Sequence, residues 1–199
     1  MHPYAVDSNE RRMIPFFLAV AGILASWLLY QILGMLALSV PWWLDAPAVM
    51  GFYGLLYTGF DRWLWHTQFV RKIGGIKIPN LNGDWVGFLV SSHDDHQSKH
   101  AVKVSVYQTW SNIQIVLRSA HSHSHSVMAS IQVENPAGPI LSYEYLNEPH
   151  ADAKSTMHIH RGTNRLMLYS DKGKLILDGE YYTGRDRLSY GTLHLERTA

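Results

Sequence analysis

The stretch AVKVSVYQ, residues 101–108, decides the fold. Val102, Val104 and Val106 alternate with Lys103, Ser105 and Tyr107. A period of two puts the two sets on opposite faces of an extended strand. The same pattern lies on either side. NIQIVLRS (112–119) sets Ile113, Ile115 and Leu117 in phase, and ILSYEYLNE (140–148) does so for Leu141, Tyr143, Tyr145 and Asn147. GDWVGFLVSS (83–92), SVMASIQVE (126–134), STMHIHRG (155–162), RLMLYS (165–170), KLILDGEYY (174–182) and YGTLHLER (190–197) continue the series. Polar turn chemistry punctuates it: SHDDHQSKH, ENPAGP, GTN, SDKGK and TGRDR. No apolar period of 3.6 is sustained beyond Gly75. Short strands at regular spacing predict an antiparallel sandwich or barrel. Residues 79–199 are read as an all-β, approximately eight-stranded antiparallel up-and-down β-barrel, because closure removes exposed edges and leaves room for one small ligand.

Upstream, the chemistry changes. From Met13 to Leu44 no residue is charged, a run of 32. As a helix it would extend roughly 48 Å, against a bilayer core of about 30 Å. Pro41 is expected to end it. A cleaved secretory signal is the competing reading, but the run exceeds the usual apolar core of about 7–15 residues. A second stretch, 46–66, is charge-free only as far as Phe60, after which Asp61 and Arg62 intervene. It reads as the return leg of a transmembrane helical hairpin, with spans at about 14–40 and 46–66 inside an N-terminal region 1–75. Trp42, Trp43, Trp63 and Trp65 stand where an aromatic belt would lie. Asp61 and Arg62 mark an interface or pair with each other; the alternative is a polar contact buried between protomers. Arg11, Arg12, Arg71, Lys72 and Lys77 flank the pair, while the loop SVPWWLDAP (39–47) has Asp45 and no Lys or Arg. The positive-inside rule then places both termini in the cytoplasm. KIGGIKIPNLNG (72–83) is the linker.

The chain has no cysteine, which excludes a disulfide framework and fits a cytoplasmic domain. Residues 79–199 hold 11 Lys+Arg against 12 Asp+Glu, so the basic excess that duplex nucleic acid demands is missing. No GxSxG, HExxH, Walker or Rossmann motif is present. No enzymatic activity and no cofactor is assigned.

HSHSHS (121–126) invites a metal reading. Histidines at alternate strand positions lie about 6.5–7 Å apart, too far for one compact zinc site. The expectation is the end of one strand, a tight hairpin and the start of the next, with the imidazoles in solvent. His93, His96 and His100 share a polar loop, and no metal is assigned there either.

Candidate ligand-binding residues are aromatics, asparagines and arginines on polar faces or at turns: Tyr107, Trp110, Asn112, Arg118, Tyr143, Tyr145, Asn147, Tyr182, Arg185 and Arg187. Aromatic faces stack bases, arginine forks pair with phosphate oxygens, and asparagine offers one donor and one acceptor edge. Each has a bland alternative. Strand tyrosines often only pack, Arg118 and Arg187 could be solvated charges, and Trp85 and Trp110 fit a core.

Two apolar spans, a linker, then a small barrel opening with LNGDWVG and closing with GEYYTGRDRLSYGTLHLER resemble the two-transmembrane β-strand-rich (S-2TMβ type) CD-NTase-associated effectors of CBASS anti-phage systems. The resemblance implies a homo-oligomeric, multi-pass protein of the bacterial inner membrane. It implies that the cytoplasmic barrel binds a cyclic dinucleotide made by a CD-NTase partner. Binding would drive self-association, membrane disruption and death of the infected cell. Small residues in AVAGILAS (19–26) and GMLALS (34–39) would let helices approach closely. Two other functions stay open: a membrane-tethered carrier for an apolar ligand, and a tethered hydrolase that lacks a visible nucleophile–base set.

Overall fold

The structure, a computed structural model, describes residues 1–38, 41, 45–151, 158–185 and 187–198, with the side chains of 45 and 46 left aside. The loop expected to carry Trp42 and Trp43, and the start of STMHIHRG, lie outside the described residues. The chain divides into two units, residues 9–77 and residues 1–8 with 78–199.

The first unit is helical. Helix α1 (Glu10–Met35) is long and apolar enough to cross a bilayer. It stops well short of Pro41. Ala37 takes φ 56°, Leu38 N–H donates to Leu33 O (3.0 Å) and Ala37 N–H to Gly34 O (3.0 Å). That is the Schellman pattern, which satisfies the last carbonyls without a proline. Helix α2 (Asp45–Gly59) runs into a π-helical turn (Phe60–Leu64) closed by Trp65 N–H on Phe60 O (3.1 Å). Asp61 and Arg62 sit in this turn. Trp63 is exposed, but Trp65 is fully buried, so only one of the two described tryptophans is available to a belt. Helices α1 and α2 pack at Gly22, where a Cβ would lie 3.2 Å from Tyr53 N. The small residue is thus used within the hairpin. Helix α3 (Gln68–Gly74) ends on Gly75 at φ 61°.

The second unit is a closed barrel of nine strands: β1 (His2–Val6), β2 (Gly83–Ser91), β3 (His100–Gln108), β4 (Asn112–Arg118), β5 (Ser122–Gln132), β6 (Ile140–Pro149), β7 (His160–Asp171), β8 (Lys174–Thr183) and β9 (Tyr190–Arg197). Strands β2 to β9 form the expected antiparallel meander, β9 closing on β2. Strand β1 was not expected. It lies in the N-terminal region read as transmembrane, yet it pairs antiparallel with β4 and parallel with β5. Its five residues are too few to declare a period. It fills a gap, since β4 and β5 pair directly only between Val116–Arg118 and His123–His125.

Turns follow the local chemistry. Lys172 (φ 48°) and Gly173 (φ 82°) make the two-residue β7–β8 turn, both with the positive φ that a type I′ hairpin requires. Asn135 Oδ1 accepts from Ala137 N–H (3.0 Å) in the β5–β6 turn. GTN (162–164), expected to be a turn, lies inside β7. Gly162 and Asn164 are ladder residues opposite Tyr145 and Tyr143.

Alternation sorts the interior. Val102, Val104, Val106, Ile113 and Ile115 are buried, as their phase predicts. Two slanting rows, Ile131–Leu141–Leu166–Gly179–Leu193–Leu89 and Leu168–Leu177–Leu195–Gly87, cross six and four strands as aliphatic layers. Trp85, Trp110 and Tyr4 fill the end to which these rows belong. Trp85 Nε1 donates to Leu81 O (3.0 Å), and Gln108 Nε2 to Tyr4 Oη (3.2 Å).

Candidate ligand-binding site: a polar cup at the other end of the barrel

Above the aliphatic rows the wall chemistry switches. The next row is Ala129–Tyr143–Asn164–Tyr181–Gly191–Ser91. Then come Ser126–Tyr145–Gly162–Thr183 and Ser124–Asn147–His160. From these rows Ser91, Asn164, Tyr181, Tyr145, Thr183, Ser124, Asn147 and His160 line a cavity of about 710 Å³, together with residues of the β4–β5, β2–β3 and β8–β9 loops and with Leu89, Leu117 and Leu193. That is within the usual range of small-molecule sites, about 300–1,000 Å³.

Two tyrosines owe their places to glycines. A Cβ on Gly162 would lie 2.5 Å from Cζ of Tyr145 and closer still to its hydroxyl. A Cβ on Gly191 would lie 2.8 Å from Cε1 of Tyr181. In each pair the strand opposite has no side chain, so the ring lies against bare backbone and presents to the cavity. Tyr145 also meets His160 edge-on at 6.5 Å and Tyr143 at 6.4 Å.

The HSHSHS stretch resolves here. Ser119 and Ser122 close the hairpin through Ser119 N–H on Ser122 O (2.9 Å), with Ala120 and His121 as its tip. The run then continues as β5. Ser122, Ser124 and Ser126 point inward and are buried, while His123 is on the outer face, 2.9 Å from Glu148. Ser122, Ser124 and, at the rim, His121 line the cavity.

The electrostatics favour an anion. Arg187 and Lys99 line the cavity together with His93, His100, His121 and His160, and among the described residues no Asp or Glu does. Burial holds the Tyr145 hydroxyl well above its ordinary pKa, Tyr181 adding to the shift and Arg187 opposing it. Tyr181 is raised likewise, by burial first, against a hydrogen bond with Ser91 and the charge of Arg187, the nearby Asp94 carboxylate adding to the rise. Both phenols stay protonated as donors at neutral pH. His100 Nε2 lies 3.1 Å from Asp94 Oδ2.

Of the residues singled out from sequence, Tyr145, Asn147 and Arg187 come together in the cavity. Tyr143, paired with Asn164, is buried and is not among the residues that line the cavity. The others are elsewhere, chiefly for reasons of parity. Tyr107 is 54% exposed, because Val104 and Val106 take the inward phase of β3. Arg118 is exposed on the outer face, its Nη1 3.5 Å from Ser105 Oγ. Tyr182 is outside, donating to Glu180. Trp110 and Asn112 belong to the packed end, Asn112 Nδ2 donating to Ser111 Oγ (2.7 Å). Arg185 is exposed on the β8–β9 loop away from the wall. The missed wall residues include Asn164, Tyr181, Ser124 and His160. Parity would have found Tyr181, in phase with Leu177, and Asn164, in phase with Leu166.

Comparison with known proteins bears on both units. Residues 12–66 match the family described as "Cap15, TM helices", and residues 76–197 the one described as "Cap15, cyclic dinucleotide receptor domain". The chain is 31% identical over 197 residues to "CD-NTase-associated protein 15" of Yersinia aleksiciae, covering 97% of this chain and 88% of that protein. It is 31% identical over 139 residues to the protein of the same name from Staphylococcus schleiferi, covering 70% and 71%.

Proposed function

The chain belongs to the Cap15 family, with its receptor domain and transmembrane helices, and from that premise we propose that the polar cup binds a cyclic dinucleotide and thereby activates a CBASS membrane effector. The observation that carries this is the cup of about 710 Å³, lined by no Asp or Glu among the described residues, where Arg187, Lys99 and donor hydroxyls converge. Two phosphates need cations and donors, and two bases need flat apolar faces. Arg187 provides a guanidinium fork for phosphate. Tyr145 and Tyr181, each laid against a glycine, provide the faces.

In this reading a CD-NTase partner makes the messenger during phage infection. The filled barrel has a different affinity for its neighbours from the empty one. The protein self-associates in the inner membrane, the two helical spans of each copy disrupt it, and the infected cell dies. In this reading both termini are cytoplasmic, which the basic flanks support.

The test is a binding screen on the full-length protein in detergent, by thermal shift and calorimetry, with cyclic di- and trinucleotides. A raised melting temperature and a saturable isotherm with at least one cyclic dinucleotide are expected. Silence across the panel would end the proposal. Leakage of dye from vesicles carrying the protein, on adding that nucleotide, tests the effector step.

A further inference from the structure

Residues 67–75 lie between the two family matches, 12–66 and 76–197, and neither covers them. Helix α3 falls in this interval. Seven residues are too few for a stable helix in water, so α3 needs partners for its faces. One face has them. Gly74 lies against helix α1, where a Cβ would be 3.4 Å from Ile14 Cδ1, and Ile14 is buried. Another face is bare. Phe69 and Ile73 are one turn apart, hence neighbours on the helix surface, and they are 75% and 72% exposed. Ile14 stands where the charge-free run of α1 begins, just after Arg11 and Arg12. Since α1 is long and apolar enough to cross a bilayer, its contact with Gly74 holds α3 at the end of a span.

The surroundings are cationic. Lys72 is exposed beside Phe69 and Ile73, Arg71 flanks it, and Arg12 is exposed two residues before Ile14. In residues 9–14 and 66–77 the only carboxylate is Glu10, which is buried and accepts from Lys77 N–H (2.7 Å).

We propose that α3 is an interfacial anchor, lying along the membrane surface with Phe69 and Ile73 in the acyl boundary and Lys72 and Arg71 against anionic lipid headgroups. Amphipathic helices of this kind sink their apolar face about 5–10 Å into that boundary, while lysine and arginine stems reach back to the headgroups. Each such cation favours an anionic surface by roughly fivefold. A second copy of the chain would set these cations against themselves, whereas anionic headgroups neutralise them. The leaflet, the cytoplasmic one, rests on the orientation proposed above; the anchor itself rests on the membrane helices and on no nucleotide.

The chain has no cysteine, which makes the test direct. Phe69→Cys, Ile73→Cys and, as a control, Gln97→Cys in the exposed β2–β3 loop each carry one environment-sensitive fluorophore on the full-length protein. The protein is reconstituted in phosphatidylcholine vesicles with or without phosphatidylglycerol. At positions 69 and 73 the emission is expected to be blue-shifted and to be quenched by a nitroxide on the lipid acyl chain. At position 97 it stays water-like. Adding Lys72→Gln should lower the ratio of inserted to free helix roughly fivefold in phosphatidylglycerol vesicles and leave neutral vesicles unaffected. Salt at about 1 M, where the screening length falls to about 3 Å, should do the same. All four positions are exposed, so the core is spared, and a thermal melt matching the unaltered protein checks folding. Water-like emission at both helix positions would overturn the anchor. So would a blue shift that fades as the protein is diluted in lipid, the mark of a second copy covering the face. Equal signals in neutral and anionic vesicles would overturn the assignment to anionic headgroups.

Discussion

Replacing Gly162 by alanine probes the packing that builds the cup. The added methyl would lie 2.5 Å from Cζ of Tyr145, nearer to its hydroxyl, and equally near the Tyr182 carbonyl on the far side. Ordinary contact for such atoms is about 3.5–4 Å, so the overlap is about 1 Å on both flanks. The ring of Tyr145 can swing aside, but the Tyr182 carbonyl belongs to the β7–β8 ladder and cannot. Overpacking of this kind costs typically 1–3 kcal/mol, and pressure on two sides puts this case in the upper half. For a unit of residues 1–8 and 78–199, each kcal/mol is worth roughly 3–5 °C. Thermal melts should therefore show a fall of about 6–15 °C. Ligand affinity should fall as well, because the displaced ring is a wall of the site. Gly173→Ala is the control: its φ is 82°, yet nothing lies within 4 Å of the new methyl, so only the backbone penalty of about 1–2 kcal/mol applies. In a cycle with Tyr145→Ala, the double variant should be more stable than the summed single effects by about 1–2 kcal/mol. It should not recover fully, since the carbonyl clash persists. A Gly162→Ala protein that melts with the wild type and binds nucleotide equally well would refute the packing of Tyr145 on Gly162.

Other expected outcomes separate the site from the scaffold. Arg187→Ala should weaken binding by roughly 10- to 150-fold, the worth of a charged hydrogen-bonding group of about 1.5–3 kcal/mol, with little change in melting temperature, whereas Arg118→Ala and Arg185→Ala should leave calorimetric affinity unchanged. Trp110, 1% exposed at the packed end, should behave in the opposite way: Trp110→Ala is expected to cost about 3–5 kcal/mol of stability in denaturant melts while the folded fraction binds normally. Burial raises the folded-state pKa of Tyr143 and of Tyr145 above the ordinary tyrosine value of 10.0, so their contribution is fully present below about pH 10 and is lost as pH climbs beyond it. Melts between pH 8 and 11.5 should show that decline, and Tyr143→Phe with Tyr145→Phe should reduce its slope.

The fold was legible because strand period is a strong signal where one face is buried. AVKVSVYQ and ILSYEYLNE keep strict phase, and both are strands with the expected inward sets. The site was legible only where phase was followed. Tyr145 and Asn147 were found by sharing a face with Leu141. Tyr182 and Tyr181 are adjacent, and the one-residue step between them moves a side chain from solvent to the cavity. Asn164 was hidden differently. Gly-Thr-Asn has the composition of a turn, and local composition outweighed the fact that Asn164, Leu166 and Leu168 share one phase. The histidines of HSHSHS drew notice that belonged to its serines. Strand β1 had no signal at all: five residues before a hydrophobic helix cannot show that they complete a barrel whose other strands begin some 80 residues later.

Why the barrel is hollow at one end and solid at the other follows from side-chain volume rather than from girth. The packed end is the wider one in strand number, since β1 is inserted there between β4 and β5, while at the cup end β4 and β5 pair directly. An eight-stranded barrel is just wide enough for its own side chains to fill it. The packed end has one more strand and answers with two fully buried tryptophans, a tyrosine and layered Leu, Ile and Val. The cup end has fewer strands, yet Ser122, Ser124, Ser126, Gly162, Gly191 and Ser91 occupy inward positions that Leu or Ile hold below. Each such replacement removes methylene groups whose burial is worth about 0.8 kcal/mol apiece. The cup thus contributes little to folding, and the aliphatic rows beneath hold its walls in register. Stability and recognition are thereby assigned to opposite ends of the same strands, and the wall of the cup is free to be polar.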